Sequence, residues 1–282
     1  MSHSHAGGSA QGVLDGAMWS YAANVLRPAQ ALKQRGLLEM ELLGEEPSGV
    51  PRKGLGPYFS RRHEQPVLLG HATEHDHLVD EFDRMAEVYA AFVRPFSGPI
   101  FDEALTVLAR YVGPDARVLD AGCGSGTELE RVARLVPEGE VVGIDLAAGM
   151  VNAAHRTARA HGLDNTAFFQ ADVGDLPRAF TGKFDLVYNC LAHHHYPDPE
   201  AATAEILRCL RPGGVYCVVD PGPAWFNAIS APLARWADPG WIGFHTPEEF
   251  RSLLAGAGFG RTAWVGLLPG FGVAVGQKLA RT

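Results

Sequence analysis

Four groups of residues have types and spacings that could do chemistry. The first is Asp120-Ala-Gly122-Cys123-Gly124-Ser-Gly126, an acid followed by three glycines at alternate positions. It lies between the apolar run Ala116 to Leu119 and Glu128-Leu-Glu-Arg-Val-Ala-Arg-Leu135, whose apolar residues recur at helical intervals. That order reads as strand, tight turn, helix. Such a turn lets a ligand lie against bare backbone, because Gly has no Cβ to block it. The helix start behind it offers free N–H groups and a positive dipole end. The second group is Asp145, which closes the apolar run Glu140-Val-Val-Gly-Ile-Asp145, 23 residues beyond Gly122. An acid there can accept both hydroxyls of a ribose. The third is Asp172-Val173, where the run from Thr166 enters a turn; a carboxylate beside an N–H offers an acceptor and a donor together. The fourth is His193-His194-His195, beyond Asn189 at the end of the run Phe184 to Leu191, with His245 further on. Neutral imidazoles there suit general base work.

The glycine spacing separates the nucleotide-binding classes. A dinucleotide turn needs Gly-x-Gly-x-x-Gly, and counting from Gly122 the last position falls on Thr127. A P-loop ends in Gly-Lys-Ser/Thr, and no Lys stands here. What remains, Asp-x-Gly-x-Gly-x-Gly, resembles the first motif of class I S-adenosylmethionine (SAM)-dependent methyltransferases. Further segments extend the resemblance. Phe82-Asp-Arg-Met-Ala-x-x-Tyr89 is similar to the leading helix of ubiquinone/menaquinone-type methyltransferases of types 11 and 25. Asp175-Leu-Pro, His194-His195-Tyr-Pro-Asp-Pro199 and Arg211-Pro-Gly-Gly follow in the family's order. Ala90 departs from the family, which often has Asp there. The resemblance covers about residues 78–280.

The resemblance implies SAM as cofactor and S-adenosylhomocysteine as product. The turn Gly122, Cys123, Gly124 and Gly126, with Asp120, would hold the methionine part and Asp145 the ribose. Leu146 would lie on one face of adenine, with Met150 packing nearby. Asp172 would accept from the adenine amino group and the Val173 N–H would donate to a ring nitrogen. Tyr89 would close over SAM, and the backbone near Asn189 would pass the sulfonium. His194, His195 or His245 would serve as base for an oxygen or carbon acid; an amine acceptor needs none. Each feature has a plainer reading: a bare turn, a turn acid at Asp172, core filling by Met150, loop shaping by the histidines. Adjacent residues on an extended chain point to opposite faces. The three histidines are therefore not expected to share an ion, and no metal is expected.

The elements that must position these residues follow. Strands alternating with helices predict an α/β Rossmann-like sheet of seven strands. The resemblance gives the order 3-2-1-4-5-7-6 with the last strand antiparallel, and an N-terminal helical cap. Residues 1–75 are expected to be a disordered tail followed by the cap and a Pro/Gly-rich loop. Residues 76–282 are expected to be the methyltransferase domain, and 221–246 an aromatic-rich, irregular substrate cover. The 282 residues carry a formal charge of −8 and no dense Lys/Arg block, which disfavours nucleic acid as partner. No apolar run of about 18 residues exists, so no membrane span is expected. Four cysteines without a Cys-x-x-Cys pair fit a reducing, cytoplasmic setting. The expected partner is a small, partly hydrophobic molecule of specialised metabolism; the N-terminal helices either cap the site or pair two copies. Two alternatives stand beside transfer: another SAM-dependent reaction such as cyclisation, or a non-catalytic SAM-binding module.

Overall fold

A computed structural model of the chain describes residues 68–69, 97–238 and 240–280. Tyr89, the predicted helical cap and the rest of the N-terminal extension lie outside the described residues. The described chain begins with β1 (Leu68–Leu69) and a helix α1 whose described part is 97–108. There follow β2 (Arg117–Ala121), α2 (Leu129–Leu135), β3 (Glu140–Asp145), α3 (Ala148–Ala160), β4 (Thr166–Ala171) and β5 (Phe184–Cys190). Then come α4 (Pro199–Cys209), β6 (Leu210–Pro221), α5 (Ala224–Ala237), α6 (Pro247–Ala257), β7 (Arg261–Leu268) and β8 (Phe271–Gln277).

The strands form one sheet in the order β1-β4-β3-β2-β5-β6-β8-β7. From β2 onward this is the predicted 3-2-1-4-5-7-6. Only β8 runs against its neighbours, pairing antiparallel with both β6 and β7. The two-residue β1 is an eighth strand, parallel to β4, in a stretch the sequence suggests is loop. The central strand β2 is buried at all five positions, Arg117 and Asp120 included, because both faces of the sheet are covered. Alternate side chains feed two cores. Val118, Tyr188 and Val219 pack with Phe101, Val132 and Val151 of the α1–α3 side. Leu119, Val187 and Val218 pack with Ile206, Phe250 and Leu254 of α4 and α6.

Local signals set several boundaries. A capping box of Thr246 and Glu249 starts α6, and Gly258, in the left-handed region at φ 104°, ends it. The stretch after β6 departs from expectation: it is the regular helix α5, with Pro232 inside it. Five alanines among its 14 residues favour the helix, and a single Pro costs it the bond to Ala228 without ending it. Among the described residues no helix is long and apolar enough to cross a membrane.

Progression along the sheet reverses at β2. From there β3 and β4 step one way, β5 and β6 the other. An open α/β sheet places its ligand at such a switch point, outside the carboxyl ends of the strands.

Candidate functional site

At that switch point lies an open cleft of about 1100 Å³, counting its mouth. Of the predicted cofactor residues, Asp120, Gly122, Cys123, Gly124, Asp145, Leu146, Met150, Asp172 and Val173 line it. Cys190, Leu191 and Ala192 complete the wall beyond β5, and His195 stands at that end.

The glycine turn is shaped by positive φ at Gly122 (92°) and Gly124 (50°). Its first three amides are engaged. Gly122 and Cys123 both donate to the Ile144 carbonyl at 2.9 Å, and Gly124 donates to Asp145 Oδ2 at 2.8 Å. The turn is thus stapled to the end of β3 through these three amides. Asp145 is oriented twice, since Oδ1 also accepts from the Ala147 amide at 3.0 Å. A Cβ on Gly122 would stand 2.8 Å from Ala192 Cβ, so this glycine lets the two ends of the cleft approach each other.

The lining carries four carboxylates, Asp120, Glu128, Asp145 and Asp172, and no Lys or Arg. Glu128 is held by Arg131 and accepts from Ser97 Oγ at 2.8 Å. Asp172 Oδ1 accepts from the Gly174 amide at 2.8 Å. Asp120 is buried, and no cation pairs with it among the described residues; Oδ2 accepts from the Tyr188 hydroxyl at 2.7 Å. Burial raises its pKa to about 7; the Tyr188 bond pulls it down, while Asp145 and Glu128 push it up. A buried carboxyl short of positive charge is a receptor for a cation.

Beyond β5 the histidines differ from expectation. Leu191 takes φ 53°, and His193–His195 form a single 3-10 turn instead of extended chain. The turn sets the His194 and His195 rings 4.2 Å apart. His194 Nδ1 is bonded to Oδ1 of the fully buried Asp220 at 2.7 Å. Burial lowers the His194 pKa, but the charge and hydrogen bond of Asp220 outweigh it and leave the group raised. His195 is pushed down to about 4 by burial and by His194. His193 is buried with neither ring nitrogen hydrogen-bonded, among Tyr196, His245 and Phe250; burial holds it well below the usual range. It shapes the turn.

Four predicted residues are not in the lining. Gly126 packs on α3, where a Cβ would stand 3.2 Å from Ala154 Cα. Asn189 is fully buried behind the wall, its Nδ2 donating to the hydroxyls of Tyr196 and Tyr216 at 3.0 Å each. His245 packs against His193 and Phe250, away from the cleft. His194 stands behind His195. The aromatics expected as a cover are also elsewhere: Trp225 and Trp236 face outward, and Phe226 packs on Phe271. Asp220 and Tyr196 were not singled out by sequence. The Tyr196 hydroxyl donates to the Ala121 carbonyl at 2.7 Å and accepts from Asn189.

Residues 113–241 match the family model described as "Methyltransferase domain". These residues form a class I SAM-dependent methyltransferase domain. The chain is 36% identical over 143 residues to nocamycin O-methyltransferase of Saccharothrix syringae, covering 50% of each chain. It is 34% identical over 161 residues to a ubiquinone biosynthesis O-methyltransferase of Psychrobacter arcticus, covering 54% of this chain and 62% of that one. A putative methyltransferase from Bacillus halodurans superposes with a TM-score of 0.52 at 25% identity, over 58% of this chain and 70% of that one. The chain spans about half the length of the first of these relatives.

Proposed function

We propose that this protein transfers the methyl group of SAM to an oxygen atom of a small, partly apolar molecule. One observation carries the reading: a cleft with four carboxylates and no cationic side chain, beside a glycine turn whose first three amides bond the end of β3. A pyrophosphate would meet only negative charge there. A ligand bearing a sulfonium and an ammonium group meets the opposite sign.

The residues present fit that ligand. Asp120 would take the ammonium, Asp145 the ribose hydroxyls, and Asp172 with the Val173 amide the adenine edge, between Leu146 and Met150. When bound, SAM supplies a methyl group on a good leaving group. The protein's own work is then to orient both molecules and exclude water. At the acceptor end, loss of the hydroxyl proton falls to the histidine cluster of His194 and His195. Oxygen as acceptor is supported by that cluster and by the two relatives named above, both O-methyltransferases. Residues 1–75 are assigned one of two roles, covering the site or pairing two copies.

Calorimetry with SAM, S-adenosylhomocysteine and NAD tests the reading. SAM and S-adenosylhomocysteine should bind one to one and NAD should not; NAD binding without SAM binding would overturn it. Turnover should yield S-adenosylhomocysteine and a product heavier by one methylene unit.

A further inference from the structure

The turn that holds the histidines and the end of α5 bring together groups that the cofactor site does not use. One ring nitrogen each of His194 and His195 and a carboxylate oxygen of Asp238 lie within 4.8 Å of one another. His195 Nε2 and Asp238 Oδ2 are 3.5 Å apart. Donors placed 2.0–2.1 Å from a tetrahedral zinc ion stand roughly 3.4 Å from each other, so this pair is already at ligand spacing and the third needs a small closure. Two donors are aimed by a second partner. Asp220, fully buried, holds the His194 ring through Nδ1 at 2.7 Å. The Gly240 amide donates to Asp238 Oδ1 at 3.1 Å and leaves Oδ2 facing His195. Metal-bound histidines commonly donate their other ring nitrogen to a carboxylate in this way.

We propose that His194, His195 and Asp238 bind a divalent transition-metal ion, with Asp220 as the positioning residue behind His194. Two imidazoles and one carboxylate favour zinc, iron, cobalt or nickel over magnesium or calcium, which prefer all-oxygen sites. Three protein ligands leave a coordination position open, as in catalytic rather than structural sites. His195 also lines the cleft, so the open position borders the acceptor end. With the ion bound, the two imidazoles are ligands and no longer the base: the ion would bind the acceptor oxygen and lower its pKa, with the proton leaving to solvent. That last role rests on the methyl-transfer reading; the ion site itself does not.

The test uses the full chain, stripped with EDTA, and Co²⁺ as the probe. Visible d–d absorption should saturate with one site-bound equivalent, and equimolar Zn²⁺ should abolish it. His195→Ala and Asp238→Asn should lose that absorption while far-ultraviolet circular dichroism stays unchanged. Asp220→Asn should weaken Co²⁺ binding by about 10–100-fold. His3 and His5 of the N-terminal segment can also take up metal, so the wild-type-minus-variant difference is the deciding quantity. Zn²⁺ should raise the melting temperature of the wild type and not of Asp238→Asn, which gives a second readout. No absorption, or the same absorption in all three variants, overturns the site. SAM affinity measured in EDTA reports on the cofactor cleft alone, so failure of either reading is recognisable by itself.

Discussion

The amide of Gly124 donates to Oδ2 of Asp145 across 2.8 Å, joining the glycine turn after β2 to the acid that closes β3. One carboxylate thus fixes the turn with one set of lone pairs and keeps others for a ligand. Asp145→Ala should lower SAM affinity by about 10-fold or more, some 1–3 kcal/mol for a charged hydrogen-bonding group and the turn it anchors. Calorimetry checks this, and unchanged affinity would remove Asp145 from the site.

Asp120 makes SAM binding depend on pH. Its carboxyl, raised to about 7, is partly protonated at neutrality in the empty protein. A cationic ligand favours the ionised form, so binding should release a proton and affinity should rise from about pH 6 to about pH 8. Calorimetry in buffers of different ionisation heat measures that proton, and Asp120→Asn should flatten the profile. The stability sign is opposite. A carboxyl whose folded pKa is raised stabilises the fold below its ordinary pKa, and that contribution is lost as pH climbs through about 7. The empty Asn variant should therefore melt no lower than wild type at pH 8; a large loss there would mean that the carboxylate is structurally required.

Gly122→Ala tests the close approach of the two ends of the cleft. The new Cβ would sit 2.8 Å from Ala192 Cβ on a backbone at φ 92°. The strained conformation alone costs about 1–3 kcal/mol. Denaturant unfolding should show that loss, together with weaker SAM binding. Full stability would mean that the turn relaxes freely.

The sheet has its own vulnerable pair. Arg211 Nε bonds Asp185 Oδ1 at 2.5 Å, with both side chains nearly buried, and Asp185 Oδ2 accepts from the Arg117 amide at 2.7 Å. Asp185→Ala strands a buried guanidinium and should cost about 3–5 kcal/mol by denaturant unfolding. A loss below about 1 kcal/mol would show that water reaches Arg211.

What could be read from sequence was local. The glycine turn, the acids closing strands and the helix start at Thr246 are each set by neighbours a few residues away, whereas the order of the sheet is implied by the family resemblance. The histidine turn is not local: the Ile242 amide donates to the His194 carbonyl at 2.8 Å, from a segment beyond α5. Asn189 was expected beside the cofactor because it lies at the right strand end, but period-two alternation sends its side chain to the tyrosines behind. Asp220 could have been found. It nearly closes β6 at the same carboxyl edge, the signal that marks Asp145, and parallel pairing of β5 with β6 brings it to the histidines. Helix α5 is hidden in the sequence because the aromatics of 221–246 suggest an irregular cover, whereas Trp225, Ile229, Leu233 and Trp236 form one exposed helical stripe.

The Tyr196 hydroxyl rests on the last carbonyl of β2 while the same tyrosine closes the histidine turn. Cofactor loop and acceptor loop consequently share a fulcrum, and a displacement of either tilts the other. Occupancy at one end would be felt at the far one, so the two reactants should arrive in a preferred order and with correlated affinities.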